Sequence, residues 1–319
     1  MTNKSRIALI FALVCMAELV ARSAESSATG DSLFNHFFFD EQLSRQGLIE
    51  DGGVFEPDYQ MHINSRGFRD SKAWPPNLKS AHRKIVIGAA GHGFGENVSE
   101  EYTYASQLEL TLNGLSGEPV AVHNLSVQGS TILFFERALL EEVIQSQPDV
   151  VILSYSGFNE ALLTTVSESR VLLPNHQLHN FLMSSALLRK ARQWLGALSG
   201  RKHRVSPTEM VNSYARIVSA LEANKIEVLL LQQFVIHPDI DGLWRLSDME
   251  IYRKKLEDFA QQKNLDLADP LPLCPVSEDC FENGEWYSAK GQAAVLESLR
   301  PHFGLLLGSQ ANENEGLEH

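Results

Sequence analysis

Short, unbroken apolar runs rich in β-branched residues recur along the chain and alternate with stretches of helical periodicity, and this leaves few folds open. Residues 84–90 (KIVIGAA), 119–125, 149–155 (DVVILSY), 226–235 (IEVLLLQQFV) and 265–269 read as strands. Continuous apolarity, without in–out alternation, marks a strand covered on both faces. Helical spacing fills the intervals. Ser99 is the expected cap of a helix running through Tyr104, Leu108 and Leu112, and residues 131–145 carry Leu133, Leu139, Leu140 and Val143. Ser206-Pro207-Thr208-Glu209 is a capping box with proline at the first helical position, opening a helix to about Asn224. Residues 248–263 and 288–303 complete the set. Strands alternating with helices predict an α/β fold with a doubly wound sheet of about five parallel strands. Such sheets bind ligands beyond the carboxyl ends of their strands, which directs attention to residues 88–97, 125–130 and 155–160.

The rest of the chain frames this domain. Its 319 residues, 44% of them apolar, suffice for one large core. Lys4 and Arg6 precede an apolar run from Ile7 to Val20, interrupted by Glu18, and small residues Ala21, Ser23 and Ala24 follow. That pattern makes residues 1–24 a signal peptide or an uncleaved N-terminal anchor, the only expected membrane contact. Residues 25–82 read as an irregular N-terminal wrap, with an edge strand near Met61 and Ile63. Residues 83–305 form the main domain, 160–204 a long insertion with an amphipathic piece at 185–198, and 306–319 a disordered tail. An exported chain that sheds Cys15 keeps Cys274 and Cys280, a pair suited to a small disulfide loop. The formal charge of −13 argues against nucleic acid as a partner. No Gly-x-Gly-x-x-Gly fingerprint is present, so no dinucleotide cofactor is expected. His176 and His179 lack a carboxylate neighbour and read as a solvated turn, and no metal site is expected. Phe37-Phe38-Phe39 reads as a packing plug.

Four blocks at the strand ends and before the last helix carry a resemblance. The first is Ala89-Ala90-Gly91-His92-Gly93-Phe94-Gly95-Glu96-Asn97-Val98. The second is Asn124-Leu125-Ser126-Val127-Gln128-Gly129, and the third Gly157-Phe158-Asn159-Glu160. The fourth is Asn283-Gly284-Glu285-Trp286-Tyr287-Ser288-Ala289-Lys290-Gly291. In this order they resemble the SGNH (GDSL-type) hydrolases, lipases and acyl-esterases on a flavodoxin-like sheet. The Asn64-x-x-Gly67-x-Arg69 turn is similar to that of exported members. The resemblance implies that Gly91 stands at the position of the nucleophilic serine and Ala90 at that of the neighbouring aspartate. It places Trp286 at the position of the catalytic histidine and Asn283 at that of its aspartate. It also implies that the Gly129 N–H and the Asn159 amide keep the oxyanion-binding half of the site.

These departures have chemical consequences. Glycine has no side chain to attack an ester, an indole N–H cannot accept a proton at neutral pH, and an asparagine cannot stabilise an imidazolium. The expectation is therefore an exported, SGNH-hydrolase-like domain that is non-catalytic or impaired, binding an ester, a glycan or an envelope protein. Two alternatives stand beside it. One is an active esterase or acyltransferase on carbohydrate esters with relocated groups, drawing on His92, Ser126, Ser154, Ser156 and Glu160 as cleft residues. The other is a scaffold subunit of an envelope polysaccharide pathway that uses the insertion as its contact surface.

Overall fold

The computed structural model describes residues 64, 68–70, 72, 74, 83–95, 98–127, 129–155, 157–161, 163–164, 202–232, 246–274, 278–282 and 286–308. Five strands form one parallel sheet: β1 (Arg83–Ala89), β2 (Val120–Asn124), β3 (Val150–Ser154), β6 (Glu227–Leu231) and β7 (Asp266–Ala268). Their spatial order is β2-β1-β3-β6-β7, the doubly wound, flavodoxin-like order in which the chain reverses direction across the sheet between β1 and β3. The fold class read from the apolar runs is the one observed.

Alternate side chains divide between two cores. Val86, Val151, Leu153, Val228 and Leu230 face one side, where they meet α3 (Ile132–Phe134), α4 (Leu140–Ser146), α6 (Pro207–Ala223) and α7 (Leu246–Lys263). Ile85, Ile87, Val150, Ile152, Leu229 and Leu231 face the other, against α2 (Tyr104–Ser116), α8 (Ala289–Leu299) and α9 (Phe303–Leu307). Both faces are thus buried, which is why the strands show no polar alternation.

Several element boundaries differ from the sequence reading. Ser99 opens only a 3-10 turn (Glu100–Tyr102) and its side chain caps nothing; the cap of α2 is Thr103, whose side chain accepts from the Ser106 N–H. The helix expected over 131–145 is interrupted by a π-helical segment, Phe135–Leu139, between α3 and α4. The closing helix stops at Leu299, where the Arg300-Pro301 turn intervenes, and resumes as α9. Half of the expected capping box is present: Ser206 accepts from the Glu209 N–H and Pro207 is the first helical residue, but the Glu209 carboxylate meets Arg216 instead of the Ser206 N–H.

β2 and β7 are the two edges of the sheet, and among the described residues side chains meet the outer backbone groups of β2; the edge strand expected near Met61 and Ile63 lies outside the described residues. Glu109 accepts from the Val122 N–H at 2.6 Å, and Asn113 both accepts from and donates to Val120. Residues of the N-terminal wrap continue this cover. Phe68 and Trp74 are buried in the core beside β2, and Asp70 Oδ2 lies 3.1 Å from His123 Nδ1. Lys72 bridges Asp70 and Glu109.

Of the insertion, only its ends are described: β4 (Leu163–Thr164) pairs antiparallel with β5 (Lys202–His203). The amphipathic piece at 185–198, His176, His179, Phe37–Phe39, the segment 1–24 and the tail beyond 308 lie outside the described residues. Among the described residues, no helix is long and apolar enough to cross a membrane.

Candidate functional site

The carboxyl end of β1 runs through Ala90 into α1 (Gly91–Phe94), a single helical turn whose four residues are all buried. Gly91 heads this turn and offers no side chain. His92 follows with its ring edge-on to Tyr287, centroids 4.8 Å apart, and neither ring nitrogen reaches solvent. Gly93 is set by close approach. A Cβ there would lie 2.4 Å from Ala89 Cβ, 2.5 Å from Ser126 Oγ and 3.0 Å from the Tyr104 hydroxyl. The turn therefore rests directly on the end of β2 and the start of α2.

Three residues from distant segments hold the turn in place. Arg69, buried, donates to the carbonyls of Phe94, Gly95 and Val98, and its guanidinium lies 5.8 Å from the Phe94 ring centroid. Asn124 donates to the Gly93 carbonyl at 2.9 Å. Gln292 of α8 donates to the His92 carbonyl at 3.3 Å while its Oε1 accepts from the Tyr104 N–H at 3.0 Å, joining α8, α1 and α2. None of these roles was read from the sequence. For Gln292 a signal existed: it lies on the apolar face of its helix with Val295 and Leu299, where a polar residue needs a partner. Arg69 closes the Asn64-x-x-Gly67-x-Arg69 motif, whose spacing alone does not say what the guanidinium binds. The Asp70–His123 pair joins positions 53 residues apart and leaves no local mark.

The loop after β2 is shaped by the loop after β3. Gly129 turns the chain at φ +69°, and its carbonyl accepts from Arg204 Nη1 at 2.6 Å. The Asn159 amide, assigned by resemblance to an oxyanion, donates to the Ser130 carbonyl at 2.8 Å. Glu160 Oε1 accepts from the Ile132 N–H at 2.9 Å, so this buried side chain satisfies a backbone donor in the first turn of α3. Gly129, Asn159 and Glu160 are thus brought together by contacts that build the turn. Gly157 permits the arrangement, with φ +107° and Tyr252 packed against its Cα.

Ser126 and Ser154 are fully buried, and their hydroxyls, like that of Tyr104, find no hydrogen-bond partner among the described residues. Ser154 pairs in register with Ala89, so both serines flank the end of β1. Burial, and secondarily the neighbouring Tyr287, pushes the Tyr104 hydroxyl far above its ordinary range, so it stays protonated. Ser156 and Asn283 lie outside the described residues. Trp286 contributes backbone to β9 (Trp286–Tyr287), which pairs with β8 (Phe281–Glu282); its side chain is not described. Cys274 and Cys280 form a disulfide. Among the described residues, no group of three His, Cys, Asp or Glu side chains could hold a metal ion.

The sheet order is the flavodoxin-like one, with the sequence blocks on the loops leaving β1, β2 and β3 and on the approach to α8. No protein-family model matches the chain, and no curated protein does. Solved structures do. TesA is similar at 15% identity and TM-score 0.49, over 70% of this chain and 99% of that one. A lipase/acylhydrolase from Enterococcus faecalis gives 14% and 0.48, over 69% of this chain and 96% of its own. A mutant acetyl-xylooligosaccharide esterase from Geobacillus gives 14% and 0.48, over 70% and 95%.

Proposed function

We propose that this chain is a non-catalytic, SGNH-hydrolase-like accessory protein that acts outside the cytoplasm and binds an ester or glycan ligand without turning it over. The observation that carries the reading is Gly91, a residue with no side chain at the head of a fully buried turn. Candidate replacements nearby support it further. An attacking oxygen and the base that activates it must meet the substrate at near-attack distance. The Ser126 and Ser154 hydroxyls and both ring nitrogens of His92 are sealed from solvent. Asn159 is drawn into holding the Ser130 carbonyl, which commits part of the expected oxyanion donor to structure. Fold by itself sets no activity, so the reading rests on these side chains.

Kinetics test it. The purified protein is expected to hydrolyse p-nitrophenyl acetate no faster than its Ser126→Ala/His92→Ala double variant. Turnover well above that baseline, abolished by Ser126→Ala or His92→Ala, would establish a relocated active site and overturn the reading.

A further inference from the structure

We propose that the Cys274–Cys280 disulfide is a local staple that holds the β8–β9 hairpin and the first turn of α8 against α1, and that reducing it loosens that contact without unfolding the sheet. The bond spans only six residues of sequence. Closing so short a loop removes little freedom from the unfolded chain compared with bridging distant segments, so its main effect is on local shape. That local shape is the entry to the β8–β9 hairpin. Cys280 ends a 3-10 turn (Glu278–Cys280) and leads directly into β8.

From there a chain of contacts reaches Gly91. The Cys280 carbonyl accepts from the Ser288 N–H at 3.0 Å, and a Cβ on Gly291 would come within 2.3 Å of that same carbonyl. Cys280 is therefore pressed against the first turn of α8 with no room to spare. Ser288 donates from Oγ to the Asp279 carbonyl and accepts at Oγ from the Gly291 N–H, fixing the hairpin to the start of α8. Tyr287, at the end of the hairpin, packs on Phe281 at 5.3 Å and on His92 at 4.8 Å between ring centroids. His92 is the neighbour of Gly91 in α1, and Gln292 ties its carbonyl to α8. The staple, the hairpin, Tyr287 and the α1 turn thus form one packed series.

Reduction needs a dithiol. Its thiolate attacks one cystine sulfur, giving a mixed disulfide and expelling the other cysteine as a thiolate, which takes a proton. The second thiol then displaces the remaining cysteine, and the reductant leaves as its own disulfide, two electrons and two protons having passed to the protein. Both cysteines are buried, so exchange waits on local opening of this segment.

Backbone hydrogen exchange on the full chain, before and after dithiothreitol, tests the proposal. Reduction is expected to speed exchange at the Tyr287, Ser288, Phe94 and Gly95 amides at least tenfold while β1, β3 and β6 keep their protection. A Cys274→Ser/Cys280→Ser double variant should show the same pattern without reductant. Should that variant fail to fold, reduction of the folded wild type still decides. Unchanged exchange after verified reduction overturns the proposal, as does a uniform rise across the sheet, which would make the bond a general stabiliser.

Discussion

At the scale of single residues, the hydroxyls of Tyr104, Ser126 and Ser154 are buried around the end of β1 and find no hydrogen-bond partner among the described residues. A buried hydroxyl without a partner carries a desolvation cost of about 1–3 kcal/mol, so removing the oxygen while keeping the ring forfeits nothing in the packing. Tyr104→Phe is therefore expected to leave thermal stability unchanged or to raise it, by up to about 1 kcal/mol in a denaturation curve. A loss of 2 kcal/mol or more would mean that the hydroxyl is satisfied in solution, by a trapped water for instance. Gly93 explains why two of these groups stand together, since any side chain there would collide with both Ser126 Oγ and the Tyr104 hydroxyl. The same single-residue view separates Asn159 and Glu160 from the roles implied by their sequence context. Each has a specific backbone partner, the Ser130 carbonyl and the Ile132 N–H.

At the scale of elements, the broken helix between β2 and β3 is tied to α6 by charge. Arg216 lies 2.6 Å from Glu136 Oε1, and Ser213 donates to Glu136 Oε2. Burial works against ionisation of Glu136, but the hydrogen bonds from Arg216 and Ser213 outweigh it and hold this carboxyl below its usual range. A depressed carboxylate pKa contributes stability above the unfolded-state value, and that contribution is lost as pH falls through the folded-state value. The acid limb of the stability curve should consequently be shallower in Glu136→Gln than in the wild type, with the two curves converging at low pH. An unaltered limb in urea titrations across that range would show that the pair, half exposed on the arginine side, is screened to no effect. Element boundaries also show where sequence reading stops. Ser99 and Thr103 are both plausible caps by residue type, and the choice falls to Thr103 because Tyr104 is buried and its N–H meets Gln292, 188 residues away. Nothing local marks the π-helical segment. The strands, by contrast, were legible because burial on two faces writes itself into the sequence as unbroken apolarity.

At the scale of the whole molecule, the site is made by the sheet bringing three loops and a hairpin to one edge. The order of the blocks was legible because each follows a strand or precedes a helix. What each polar side chain does there was not, because its partner is fixed by tertiary contact: Arg69 to the loop ending at Val98, Arg204 to Gly129, Gln292 to His92. Those contacts share one consequence. Backbone carbonyls of the α1 turn and of the loop after β2 are held by buried side chains, and the Ser126, Ser154 and His92 polar atoms are closed off from solvent. This enclosure is what supports the proposal that the chain binds a ligand without acyl transfer. The most direct measurement of this claim is labelling of the folded protein with a fluorophosphonate probe, read by mass spectrometry of its peptides. No serine should carry the probe under conditions that label a serine esterase to completion; stoichiometric modification of Ser126, Ser154 or Ser156 that is lost on substitution of His92 would contradict it.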